Sequence, residues 1–141
     1  MRIMMNRDRN AALDIVGFCE VVTRDPFFLV GYRPNPDFTL ADLTRVTVGT
    51  VSEVPTPWMC LQADLRRAEF APAAINRVTD ASMAENAAAL RDGRIDVAQL
   101  FQPDLEALLR DGIGHIWYAA ADRGPCSYTT LYAMRDTLDE K

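Results

Sequence analysis

VTVGTVSEVPTPWMCLQADLRRAEF, residues Val46 to Phe70, decides how this chain is read. A short β-rich run ends in Ser52-Glu53-Val54-Pro55-Thr56-Pro57, and a helical pattern starts at once. A strand that breaks into a turn with small hydroxyls, just before a helix N-terminus, is where α/β proteins hold small ligands. The N–H groups of a first helical turn have no partners inside the helix and point past the strand end. The segment therefore predicts a small-molecule pocket rather than a groove for nucleic acid.

Outward from it runs a β-α rhythm. Val46–Val51 is a predicted strand, and Pro57–Phe70 a helix with Trp58, Leu61, Leu65 and Ala68 on one face. Ile75–Val78 is a short strand. Ser82 then caps a helix whose Glu85 completes a capping-box pattern. Met83, Ala87 and Leu90 face inward there, and Gly93 ends the helix. Ile95–Phe101 is a strand, Pro103 opens the next helix, and Leu105, Leu108 and Leu109 form its stripe. Gly112 stops that helix, and Ile113–Ala121 is the last strand of the series. Three strand-helix units followed by a strand predict a mainly parallel sheet with helices on both faces. Residues 11–22 read as a strand or two, and Phe27–Tyr32 as another. Arg33-Pro34-Asn35-Pro36-Asp37 is a loop, because two prolines in three residues forbid regular pairing. The ends, 1–31 and 124–141, supply strands without obvious helices, although Asp136–Lys141 looks like the start of one. The expectation is one complete α/β lobe with crossing pieces of a second lobe that is mostly absent.

A chain of 141 residues suits one domain. A net charge of −5 with no run of Lys or Arg argues against nucleic acid as a partner, because phosphate binding needs a basic face. No stretch approaches the roughly 20 apolar residues of a membrane span, so no membrane insertion is expected. MRIMMNRDRN lacks the apolar core of a signal peptide, and the chain as written would stay in the cytoplasm. Cys19, Cys60 and Cys126 are widely spaced and read as free buried thiols. His115, in GIGHIWYAA, reads as a strand residue. No Ser-His-Asp order, paired histidines or phosphate loop occurs. No catalytic residue, metal site or cofactor is therefore predicted.

Four segments resemble a known family over about nine-tenths of the chain. FTLADLTRVTVGTVSE looks like a linker, Leu-Ala-Asp-Leu, strand and hydroxyl turn. SMAENAAALRDGRIDVAQLFQPDLEALL looks like a helix, Gly-x-Ile/Val-Asp turn, strand and x-Pro helix. GFCEVVTRDPFFLVGY and GPCSYTTLYAMRDTL look like outgoing and returning crossovers. Together they resemble the substrate-binding proteins of ABC importers for nitrate, sulfonates, taurine and thiamine-precursor pyrimidines, the NMT1/THI5-like group. The resemblance implies a periplasmic-binding-protein type II lobe with its first lobe largely missing. Residues 1–33 would be a lobe-one remnant and outgoing crossover, 34–123 the ligand-binding lobe, and 124–141 the return crossover. It further implies binding of a small-molecule solute without chemistry, an ABC permease as partner of the full-length protein, and a periplasmic location. Members are about twice this long and carry an export signal or lipid anchor, which this chain does not show. A fragment of a longer protein, or a chain completed by a partner, is expected.

The cleft of such a fold lies beyond the C-terminal ends of the strands. Ser52, Glu53 and Thr56, with Trp58 behind them, are the first ligand candidates. Hydroxyls there can hydrogen-bond a ligand, the helix dipole favours an anion, and Glu53 would suit a cationic amine or amino-pyrimidine. The plainer alternative is that Ser52 or Thr56 only caps the helix. Ser82, equally well explained as a cap, lies on the second turn beside Asp80. Phe101 and Gln102 form the third; Phe101 is either a stacking ring or core, and Gln102 stands where many relatives carry Glu. Glu20 and Tyr128 lie on the crossovers. Two other readings stand beside the solute-binding one: a thiamine-pyrimidine-type enzyme on this fold, and a cytoplasmic sensor or interaction module. The apolar stretches 11–31 and 125–135 predict a homodimer or larger, because exposed strands and apolar patches pair.

Overall fold

The computed structural model describes residues 2–140. In chain order the elements are α1 (Arg2–Arg9), β1 (Ile15–Val22), β2 (Phe28–Gly31), β3 (Thr47–Gly49), α2 (Thr56–Arg67), β4 (Asn76–Val78), α3 (Met83–Arg91), β5 (Val97–Leu100), α4 (Asp104–Arg110), β6 (His115–Ala119), β7 (Thr129–Met134) and α5 (Arg135–Asp139). The chain divides into two units. One runs from Pro26 to Asp122, and the other gathers the two chain ends, up to Asp25 and from Arg123 onward.

The central unit is a five-stranded sheet in the order β4-β3-β5-β2-β6. β3 pairs parallel with β4 and with β5, while β2 pairs antiparallel with both β5 and β6. Four strands therefore point one way and β2 alone points back, so the sheet is mainly parallel in direction, as expected. The sequence rhythm read Phe27–Tyr32 as a strand but assigned it no place in this sheet. Instead β2 fills the slot between β5 and β6. Its residues explain why: Leu29 and Val30, on opposite faces, are 1% and 0% exposed, and only an interior strand buries both faces.

Side chains alternate across the sheet into two cores. Leu29, Val48 and Val97 pack with Leu61 and Leu65 of α2, together with Leu43 and Ile75. Val30, Ala98 and Leu100 pack with Ala87 and Leu90 of α3 and with Leu105 and Leu108 of α4. Helices thus cover both faces. Gly31 admits the Trp117 indole; a Cβ there would lie 2.1 Å from the ring. That indole is fixed by its Nε1–H, which donates to the Arg33 carbonyl at 2.6 Å.

Helix ends follow the predicted stops with small corrections. α3 begins with the capping box, and it ends at Gly93, whose φ of +67° only glycine adopts cheaply. Gly112, at φ +69°, ends α4 in the same way. α2 ends at Arg67 rather than Phe70. Glu69 turns to φ +63° and the Phe70 N–H reaches back to the Leu65 carbonyl, which leaves Ala68 exposed and off the core face. Pro103 precedes α4 instead of opening it, and the Gln102–Pro103 peptide is cis.

The unit formed by the chain ends is an antiparallel two-stranded ribbon of β1 and β7 with α1 and α5. The sequence reading missed α1, whose polar composition carries no apolar period. The helix start expected at Asp136 is α5, with Lys141 outside the described residues. Asp25, 2% exposed, is held by Arg123 at 2.7 Å within this unit. Cys19 and Cys126 are exposed, not buried, because both lie on this thin ribbon unit, while Cys60 is half-buried on α2.

Candidate functional site

Four strands of the central unit end on the same side of the sheet, and the turns that follow β3 and β4 are tied together there. The Thr50 N–H and hydroxyl both donate to the Val78 carbonyl, at 3.0 and 3.1 Å. The Ser52 N–H donates to the Ala81 carbonyl at 3.0 Å. The Met83 N–H donates to Glu53 Oε1 at 2.9 Å. Ser52, Glu53 and Ser82, proposed from separate turns, therefore stand on one rim.

This arrangement changes the reading of Glu53. Its carboxylate accepts from the first turn of α3, where the helix dipole favours negative charge. Glu85 occupies the same helix end and accepts from the Ser82 N–H and hydroxyl, both at 2.7 Å. Those bonds hold the Glu85 carboxyl below its ordinary pKa. Two carboxylates of the chain itself thus fill the α3 N-terminus, and Ser82 acts as its cap. Replacing Ser82 by Ala should cost about 1 kcal/mol of stability, the usual loss for such a cap. It should also raise the Glu85 pKa part of the way toward the ordinary carboxylate value, since the hydroxyl bond is lost while the backbone N–H of residue 82 still donates. The native pKa is depressed, so the contribution is present above the unfolded value and is lost as pH falls through the folded one. Carboxyl NMR titration of the wild type and the variant checks this; an unchanged Glu85 midpoint would contradict it.

The α2 N-terminus differs. Its N-cap is Pro55, and no side chain caps it. Thr56 is half-buried in the first turn and Ser52 is exposed before it. The helix is anchored from below by Gln99 of β5, whose Nε2 donates to the Pro57 carbonyl at 3.0 Å. Gln99 is 4% exposed, and its Oε1 has no hydrogen-bond partner. Trp58 is no bare apolar wall, because the Arg77 guanidinium of β4 lies 4.0 Å over its ring. Burial lowers the Arg77 pKa, and a guanidinium keeps its charge in proteins. The N-terminus of α2 therefore combines a positive dipole end, the Thr56 hydroxyl and a neighbouring cation, with Ser52 in the turn before it. Pro55 and Pro57 carry no N–H, so a ligand there would draw on the Thr56 and Trp58 N–H groups.

At the third turn Phe101 is half-buried and meets Phe27 edge-on, with centroids 4.8 Å apart. Its N–H points at Met83 Sδ at 3.4 Å. Gln102 is exposed and precedes the cis proline. Glu20 and Tyr128 belong to the ribbon unit. Glu20 is exposed on β1, opposite Thr130. Tyr128 donates its N–H to the Val22 carbonyl at 3.0 Å and lines a hollow of about 400 Å³ with Ile3, Met4, Ser127 and Tyr132.

Sequence reasoning missed Arg77, Asn86 and Gln99. Arg77 sits in a three-residue strand, and the two carboxamides sit inside stretches that read as plain helix and strand. Only a polar residue at an inward helical or strand position could have signalled them. Among the described residues, no group of three His, Cys, Asp or Glu could hold a metal ion. No described helix is long and apolar enough to cross a membrane.

No protein-family model and no curated protein matches the chain. Solved structures do. The periplasmic aliphatic sulphonate binding protein SsuA from Escherichia coli superposes with a TM-score of 0.73 at 21% identity, over 94% of this chain and 44% of that one. The alkanesulfonate-binding protein SsuA from Xanthomonas axonopodis pv. citri, bound to MOPS, gives 0.69 at 18% identity, over 92% and 44%. A ligand-binding component of an ABC-type import system from Staphylococcus aureus gives 0.64 at 17% identity, over 95% and 46%. The chain thus has the α/β fold of the type II periplasmic binding proteins, and it spans less than half the length of these neighbours.

Proposed function

We propose that this chain is a solute-binding module of an ABC-type import system, working in the periplasm, with no chemistry of its own and with a small organic or inorganic anion as its ligand. The observation that carries the reading is the first turn of α2. It is uncapped, flanked by Ser52 and Thr56, and close to the Arg77 cation, whereas the α3 N-terminus is filled by the chain's own Glu53 and Glu85. The fold and its likeness to sulfonate-binding neighbours support it. Within that class we favour the nitrate and sulfonate binders over amino acid and pyrimidine binders. Glu53 is engaged at α3, which argues against a cationic amine as the ligand. On this reading residues 26–122, whose sheet includes β2, form the binding lobe, 1–25 and 123–141 the crossovers, and a permease is the partner of the assembled protein.

A one-lobed site covers less of a ligand than a closed cleft, so affinity should be weak. Calorimetric or NMR titration with ethanesulfonate, nitrate and an amino-pyrimidine tests the reading. We expect the anions to bind and the pyrimidine not to. Ser52→Ala with Thr56→Ala removes two polar contacts worth about 0.5–1.5 kcal/mol each, so anion affinity should fall by about fivefold to a hundredfold. Equal affinity in the double variant would place the ligand elsewhere.

A further inference from the structure

We propose that Asn86 is a positioning residue whose buried carboxamide clamps the β3 and β4 exit turns into one rim, so that the candidate ligand-binding groups on the two turns move as a unit. The proposal rests on the solute-binding reading only for what the rim touches; the clamp itself stands on geometry. Asn86 lies in the first turn of α3 and is 0% exposed. Its Nδ2 donates to the Thr50 carbonyl at 3.2 Å and to the Ala81 carbonyl at 3.4 Å. Thr50 is the first residue after β3, and Ala81 lies in the turn that follows β4. One side chain thus reaches both turns from a third element.

The surroundings are shaped for that reach. Gly49 stands beneath the carboxamide, and a Cβ there would lie 2.4 Å from Asn86 Oδ1. The close approach that lets Nδ2 bridge the two carbonyls is therefore available only over a glycine. The cost is visible on the other half of the amide, because Oδ1 is buried without a hydrogen-bond partner. A buried acceptor left unpaired lowers stability, and an apolar residue at this inward position of α3 would avoid the penalty. The carboxamide is placed for its two donors. The bonds it backs join the same turns: Thr50 to Val78, Ser52 to Ala81 and Met83 to Glu53. A displacement at Ser52 is thereby passed to Ser82 and to the α3 N-terminus.

The test compares Asn86→Ala with Leu90→Ala. Leu90 is one turn further along the same helix, fully buried in the α3/α4 core and bonded to neither turn. Leu90→Ala thus weakens the helix packing and leaves the rim intact. Amide hydrogen exchange is read at Thr50, Ser52 and Met83 against the strand amides of β3 and β5. In Asn86→Ala the three rim amides should exchange at least tenfold faster relative to the strands. In Leu90→Ala rim and strand amides should speed up together. Rim protection that stays in step with the strands in Asn86→Ala overturns the clamp. If Asn86→Ala fails to fold, Asn86→Ser, which keeps a hydroxyl too short to span both carbonyls, is read in the same way. A parallel ethanesulfonate titration separates the two claims. Absence of binding to the wild type sinks the solute reading, while the exchange pattern still decides the clamp. Where the wild type binds, affinity should fall at least fivefold in Asn86→Ala and less than twofold in Leu90→Ala.

Discussion

Replacing Leu100 by Ala should lower the stability of the central unit by about 2–5 kcal/mol, the range for leucines removed from a close-packed core. Leu100 is 0% exposed, ends β5 and pairs with Phe28 of β2. It packs against Ala87 and Leu90 of α3 and Leu105 of α4, with strands on both sides, so the surrounding structure has little room to collapse into the void. Urea unfolding followed by tryptophan fluorescence is a direct readout, since Trp58 and Trp117 both lie against the opposite core of the same sheet. Met59→Ala is the control. Met59 is 43% exposed on α2, and such surface changes stay within about 0.5 kcal/mol. A chain of this size should lose on the order of 10 °C in Tm with Leu100→Ala. A loss no larger than that of Met59→Ala would mean that β5 is not the centre of the sheet.

That prediction depends on β5 lying between β3 and β2, and only half of that placement could be read from the sequence. The shared direction of β3 and β5 follows from local rules, but their adjacency does not, because β4 lies between them in sequence and at the sheet edge in space. Val46–Val51 and Ile95–Phe101 are short apolar runs joined through capped helices, and such units run parallel. Ser82, Gly93 and Gly112 fixed helix ends because each acts through its own backbone conformation or a bond three residues away. The β2 insertion is different. Phe28–Gly31 pairs with residues about seventy and ninety positions downstream, and nothing in a four-residue apolar run names its partners. The same limit governs the site. Ser52, Glu53 and Ser82 were legible as turn residues. That Glu53 caps a helix thirty residues away, or that Arg77 covers Trp58, depends on the parallel pairing of β3 with β4. Strand pairing brings chemistry together that sequence spacing leaves apart. The exposed Cys19 thiol follows the same logic: a cysteine in an apolar run reads as core until the run proves to be a strand of a two-stranded ribbon.

The ribbon itself carries the last expected result, which is that purified protein is a dimer or larger at micromolar concentration and that charges on the ribbon make it monomeric. Among the described residues β1 and β7 pair in a sheet only with each other, so both outer edges of the ribbon keep backbone groups outside any strand ladder. A two-stranded ribbon is at best marginally stable alone in water. Its apolar side chains are nevertheless open, with Phe18 at 55%, Leu131 at 50% and Tyr132 at 54% exposure. Bulges at Phe18 and Val21 twist the strand without hiding either residue. Charge does not oppose association through this unit. Residues 1–25 and 123–141 carry seven basic and seven acidic side chains, so the net charge of −5 resides wholly on the central unit. Burying one large apolar side chain contributes about 1.5–3 kcal/mol, and a symmetric interface counts each residue twice. Phe18→Asp with Leu131→Asp should therefore shift sedimentation from dimer to monomer, while circular dichroism of the central α/β unit stays unchanged. A wild type that sediments as a clean monomer at 10 μM or above, with the double variant indistinguishable from it, would show that the ribbon needs no second copy.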